Sequence, residues 1–225
     1  MQARRLPPDA VFFDLDGTLA DTADDLAAAL NAMRAARNLD VLPVAHLRPY
    51  VSRGARGMLE KGFGLTSDAP EYEALRVEFL TRYEQALVVH TRLFEGMPEV
   101  LERLEAEGIL WGVVSNKAER FVRPVLASLG LLERSATAIG GDTTAHPKPH
   151  PAPLLHAAEL TRVAPERCFY IGDDRRDVEA GHAAGMFTVA AEWGFFDRSE
   201  PPSVWGAGAL AATPSDLLAL FGLPY

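Results

Sequence analysis

The chain has 225 residues, 48% of them hydrophobic and 24% charged, which excludes a disordered protein and leaves room for one α/β domain plus a small satellite. Its net charge of −9, from 31 acidic against 22 basic residues, argues against nucleic acid or an anionic membrane as partner, because both would repel the surface.

From the start, Met1-Gln2-Ala3-Arg4-Arg5 is basic but meets Pro7-Pro8-Asp9 before any long apolar stretch, so it reads as a poor signal peptide. Val11-Phe12-Phe13 reads as a short buried strand delivering Asp14. Residues 21–95 then show helical patterns and no convincing strand. Thr22-x-x-Asp25 resembles a capping box ahead of Leu26, Leu30 and Met33 at helical spacing. Leu75, Phe79, Tyr83 and Leu87 form a second apolar stripe after Pro70, and His90-Thr91-Arg92 reads as a hinge on the return. This interval is expected to be a helical cap domain, residues 21–95, inserted into a core of residues 1–20 and 96–225.

Beyond the insert, residues 98–107 are amphipathic, with Gly108 where a helix would stop. Short apolar runs at 110–114, 136–139, 168–171 and 187–189 lead respectively to Ser115, Gly140-Gly141-Asp142, Gly172-Asp173-Asp174 and Ala190-Ala191-Glu192. Runs this short and this apolar read as buried parallel strands, and their alternation with helices predicts a doubly wound α/β sheet. Cys168, the only cysteine, lies inside one of them and reads as a buried small residue; with no intramolecular disulfide possible, a cytoplasmic protein is expected. No run approaches the length of a membrane-spanning helix.

Four clusters follow strands, where a parallel sheet presents its ligand-binding edge. In Asp14-Leu15-Asp16-Gly17-Thr18, residues two apart on an extended segment let both carboxylates face one site, and Thr18 offers a hydroxyl to a phosphate or a nearby carboxylate. Ser115-Asn116-Lys117 supplies donors. Lys148-Pro149 puts one of only three lysines (Lys61, Lys117, Lys148) in a stiff loop. Gly172-Asp173-Asp174-Arg175-Arg176-Asp177 adds carboxylates that would be costly beside Asp14 and Asp16 without a cation, and all-oxygen ligands indicate magnesium. Arg53-Gly54-Ala55-Arg56-Gly57 is a basic spot in the insert, read either as a solvated helix start or as a cap loop binding a substrate carboxylate.

In order, Asp-x-Asp-Gly-Thr, Ser-Asn, Lys-Pro and Gly-Asp-x-x-x-Asp resemble the haloacid dehalogenase superfamily over nearly the whole chain. The resemblance implies a magnesium-dependent phosphate monoester hydrolase with Asp14 as nucleophile and Asp16 as acid and base. It implies that Asp14, the carbonyl of Asp16 and Asp173 hold the metal. Thr18, Ser115, Asn116 and Lys148 would meet the phosphoryl group, and Asp177, helped by Asp174, would orient Lys148 or metal-bound water. Residues 14–25, 140–143, 148–151 and 170–185 resemble phosphoglycolate phosphatases. Residues 92–98, 110–114 and Trp205-Gly206 look more like N-acetylmuramic acid 6-phosphate phosphatases. A small phosphate ester is the expected partner, with a sugar phosphomutase as a remoter alternative. A monomer or homodimer is expected.

Overall fold

The computed structural model describes residues 7–223; the basic run Met1 to Arg5 lies outside them. In β1 (Ala10–Phe13) successive side chains point to opposite faces, and all four are buried. Val11 and Phe13 join one apolar cluster while Ala10 and Phe12 join another. A strand covered on both faces has no use for a polar position, hence its uninterrupted apolar run.

After β1 the chain makes β2 (Ala20–Asp21), then four helices: α1 (Ala23–Ala35), α2 (Val44–Val51), α3 (Gly54–Phe63) and α4 (Tyr72–Gln85). It returns through β3 (Arg92–Leu93), which pairs antiparallel with β2. The interval expected to lack strands therefore carries a two-residue strand at each end, too short to leave a sequence pattern. The four helices share an apolar cluster, including Leu30, Met33, Leu59 and Phe79, which also takes in Phe121 and Phe195 from outside the insert.

The expected capping box does not form. Thr22 stands at the N-cap of α1 without a side-chain cap bond, and its buried hydroxyl has no hydrogen-bond partner. Asp25 instead accepts hydrogen bonds from the backbone N–H groups of Val89, His90 and Thr91 and from the Thr91 hydroxyl. A long-range demand for an acceptor outweighs the local motif here.

Helices and strands then alternate as far as β7: α5 (Met97–Ala106), β4 (Leu110–Val114), α6 (Glu119–Ser128), β5 (Ala138–Ile139), α7 (Ala152–Thr161), β6 (Cys168–Gly172), α8 (Arg175–Ala183) and β7 (Phe187–Ala191), followed by β8 (Ala209–Ala211) and α9 (Asp216–Leu220). The six long-range strands form one parallel sheet in the order β5-β4-β1-β6-β7-β8. Helices α5, α6 and α9 cover one face, α7 and α8 the other. Regular pairing in β5 covers only Ala138–Ile139, half the expected run, although Ala136 N–H still donates to Trp111 O. The chain runs from β1 outwards through β4 to β5, then crosses back to β6 on the other side of β1. That reversal opens a crevice at the carboxyl ends of β1, β4 and β6, where a doubly wound sheet binds its ligand.

Candidate active site

Register brings the site together. Phe13 pairs with Val113 on one side and Ile171 on the other, so the chain leaves β1, β4 and β6 at one edge. Asp14, Ser115 and Asp173 emerge there within a residue or two of the last paired positions, all buried. Asp14, Ser115, Asp16 and Lys148 face a common cavity of about 530 Å³, roofed by α2–α4 residues such as Arg53, Phe79 and Leu80.

Lys148 is the hub. Its ammonium lies 2.6 Å from Asp177 Oδ1 and 3.1 Å from Asp14 Oδ1, and it donates to Tyr170 Oη at 2.7 Å and Val114 O at 3.1 Å. Burial alone would lower its pKa, but the charges of Asp14 and Asp177 outweigh that and raise it, so the cation persists. The backbone of Lys148 is fixed by Asn116, whose amide donates to Lys148 O at 2.8 Å and accepts from its N–H at 2.9 Å. Both ends of the Asn116 side-chain amide are therefore committed to the lysine loop, which leaves only its backbone for the expected contact with a phosphoryl group.

Asp14, Asp173 and Asp177 each bring a carboxylate oxygen to within 4.8 Å of the others, all buried. Burial first, then the charges of Asp14 and Asp177, push the Asp173 carboxyl well above the ordinary range. Burial likewise lifts Asp177 to about 7, against the opposing pull of Lys148. Three carboxylates sharing one ammonium are short of positive charge, and an all-oxygen donor set fits a hard divalent cation.

The surroundings of Asp173 are built around it. Thr18 Oγ1 donates to Oδ1 at 2.9 Å, while Phe195 N–H and Ser52 Oγ donate to Oδ2 at 2.7 and 3.0 Å. Gly17, at φ +88°, passes so close that a Cβ there would lie 2.1 Å from Asp173 Oδ2, so the turn demands glycine twice over. Thr18 is fully buried with its hydroxyl on Asp173. This corrects its expected role as a substrate contact and takes the second of the two options its hydroxyl offered.

Asp174 caps α8, accepting from Arg176 N–H, and its carboxylate is paired with the Arg176 guanidinium at 2.7 Å rather than with Lys148. Arg176 also donates to Ser52 O at 2.7 Å. Ser52 thus ties the end of α2 to both Arg176 and Asp173, a clasp that nothing in the local sequence signalled. In the insert, Arg53 lines the cavity but is paired with Glu60, whereas Arg56 is exposed and outside the cavity wall. For Arg56 this position on α3 favours the first of the two readings, a solvated helix start.

Lys117, grouped by sequence with Ser115 and Asn116 as a donor but given no role of its own, has a specific partner. Its ammonium contacts both Asp16 oxygens, at 2.9 and 3.0 Å, with its side chain only 7% exposed. The Tyr83 ring covers it, centroid 4.6 Å away. Burial would lower its pKa, but Asp16 outweighs this and raises it. The available signal was the scarcity of lysine, since Lys117 directly follows Ser115-Asn116.

Comparison with known proteins agrees with this geometry. A family model of haloacid dehalogenase-like hydrolases matches residues 11–191. A phosphoglycolate phosphatase of Xanthomonas campestris pv. campestris is 48% identical over 93% of this chain and 95% of its own. An N-acetylmuramic acid 6-phosphate phosphatase of Pseudomonas aeruginosa is 43% identical over 96% and 95%. The crystal structure of a predicted phosphoglycolate phosphatase from Haemophilus somnus 129pt superposes with a TM-score of 0.83 at 27% identity, covering 94% of this chain and 97% of that one. With the parallel sheet, the acidic edge and the roofed cavity already in view, the chain belongs to the haloacid dehalogenase-like hydrolases.

Proposed function

We propose that this hydrolase cleaves 2-phosphoglycolate, or a closely similar carboxylate-bearing phosphate monoester, through an aspartyl phosphate on Asp14. The observation that carries the reading is the convergence of Asp14, Ser115 and Lys148 on one cavity beside a buried carboxylate cluster, in a chain whose relatives are named phosphatases.

In the first step an Asp14 oxygen bonds to phosphorus as the ester P–O bond breaks, and Asp16 gives its proton to the departing oxygen. In the second, water attacks phosphorus and yields its proton to Asp16. The Asp14–phosphorus bond breaks, releasing inorganic phosphate and restoring the carboxylate. Lys148, held by Asp177 and Tyr170, pairs with the transferring phosphoryl oxygens, and the Ser115 hydroxyl donates to one of them. Asn116 keeps the Lys148 loop in register, and Thr18 holds Asp173. Asp14, Asp173 and the Asp16 carbonyl would hold magnesium, which supplies the positive charge that lets a carboxylate approach a phosphate dianion. The helices of residues 21–95 act as a cap that roofs this chemistry, and the single buried cysteine suits a cytoplasmic enzyme.

A second substrate, N-acetylmuramic acid 6-phosphate, is favoured by the 43% identical relative and by a cavity roomy enough for a sugar. A mutase would return the phosphoryl group to a sugar hydroxyl and release little inorganic phosphate. The test is kcat/KM, followed by phosphate release, for phosphoglycolate, N-acetylmuramic acid 6-phosphate and several sugar phosphates. A preference for the muramic acid ester of more than about tenfold replaces the first reading with the second, and no phosphate release from any ester ends both.

A further inference from the structure

We propose that Lys117 is the residue that reads the substrate's carboxylate, and that it does so by exchanging Asp16 for that carboxylate. The inference rests on the hydrolase reading above and deepens it. Both Asp16 oxygens are engaged by one ammonium, at 2.9 and 3.0 Å. Lys117 and Asp16 both line the cavity, next to Ser115 and Asn116. For Asp16 to turn to the ester oxygen as an acid, it must let go of Lys117 and take up a proton from solvent. A cation this enclosed, with an aromatic face over it, is costly to leave without an anion. The substrate has to provide that anion.

The place of the anion follows from chemistry. Asp16 reaches the ester oxygen, and Lys117 touches Asp16, so a group that takes over Lys117 lies about one carboxylate's width from the ester oxygen. In 2-phosphoglycolate the carboxylate hangs one carbon from that oxygen. In N-acetylmuramic acid 6-phosphate it hangs from a lactyl ether across the sugar ring, away from the scissile bond. The site therefore selects a carboxylate adjacent to the ester carbon. No other lysine competes for this part: Lys148 is committed to Asp14 and Asp177, and Lys61 lies outside the cavity wall with its ammonium over Tyr50.

The experiment measures kcat and KM of the intact enzyme on phosphoglycolate, 3-phosphooxypropanoate, 4-phosphooxybutanoate and 2-hydroxyethyl phosphate, which carries no carboxylate. Nitrophenyl phosphate, also without a carboxylate, reports separately whether the protein is a phosphatase at all. For the wild type kcat/KM should be highest for phosphoglycolate and fall as the carboxylate moves away. In Lys117→Met the preference for phosphoglycolate over 2-hydroxyethyl phosphate should shrink about ten- to a hundredfold, the worth of one bond to a charged partner. Lys117→Arg should restore part of it. An unchanged preference in Lys117→Met, or an equal loss on both esters, overturns the proposal, because a merely structural lysine would affect all substrates alike. If Lys117→Met does not fold, the wild-type series decides alone: kcat/KM that ignores carboxylate position overturns it while turnover of nitrophenyl phosphate leaves the hydrolase reading standing.

Discussion

Replacing Asp25 with alanine tests how the helical insert is fastened at its return. The carboxylate, 3% exposed, collects the N–H groups of Val89, His90 and Thr91, at 3.2, 3.0 and 2.9 Å, and the Thr91 hydroxyl at 2.7 Å. Val89 and His90 are exposed, so their N–H groups turn to water when the carboxylate is lost. Thr91 is buried, so its N–H and hydroxyl are stranded. Two stranded bonds to a charged acceptor, at about 1.5 kcal/mol each, give a loss of about 3 kcal/mol. That is a large part of the ~5–15 kcal/mol that holds a typical domain folded. Urea unfolding followed by far-ultraviolet circular dichroism should move its midpoint down by about 1 M, taking a slope of about 3 kcal/mol per molar. Both Thr91 bonds end on Oδ2, so Asp25→Asn with its oxygen there keeps them to a neutral acceptor and should lose about half as much. A shift below about 0.3 M for Asp25→Ala would refute the argument, since the return would then be held by β2–β3 pairing and packing alone.

Three further outcomes follow from the site. Thr18→Val removes the hydroxyl from Asp173 and should weaken magnesium affinity about tenfold, read by titrating the ion against activity and against the melting temperature, while leaving KM at saturating magnesium nearly unchanged; a raised KM with unaltered metal affinity would return Thr18 to the substrate. Chelation of divalent ions should abolish turnover, and calcium should restore it poorly because its looser coordination spoils in-line geometry; full activity in excess chelator would contradict the role given to the carboxylate cluster. Arg53→Ala should raise KM for N-acetylmuramic acid 6-phosphate, the ester large enough to reach the roof, whereas Arg56→Ala should change KM for no substrate; the reverse pattern would give the substrate contact to Arg56 instead.

The sheet was legible because its strands are covered on both faces, so that Val11-Phe12-Phe13 or Cys168-Phe169-Tyr170-Ile171 has no competing explanation at that length. The carboxylates were legible because they follow such strands, and Lys148 because lysine is scarce and a proline follows it. β8, with three residues at the sheet edge, carries too little pattern to register. Asp25 misled because a capping box is a local signature, while its partners lie 64 to 66 residues away. Thr18 and Asn116 illustrate another limit: their spacing puts donors near the site, but whether a hydroxyl or amide turns to ligand or to protein depends on which neighbour is buried without a partner. The partner of Lys117 escaped for the converse reason. A lysine after Ser-Asn reads as a solvated turn until the fold brings Asp16 and Tyr83 against it.

In the proposed mechanism phosphorus passes through Asp14, and Asp16 serves the leaving group and then the water. The direct measurement is a rapid-quench time course with Asp16→Asn, reading nitrophenol release and locating phosphate by mass spectrometry of the acid-quenched protein. Nitrophenolate leaves without an acid, so the variant should release a burst, stall for want of a base, and carry phosphate on the peptide containing Asp14. From phosphoglycolate, whose alkoxide needs the proton, the same variant should form phosphoenzyme about a hundred- to ten-thousandfold more slowly than the wild type. Asp14→Asn should give no burst from either ester. Phosphate found on another residue, or equal loss on both substrates with no burst, would contradict that mechanism.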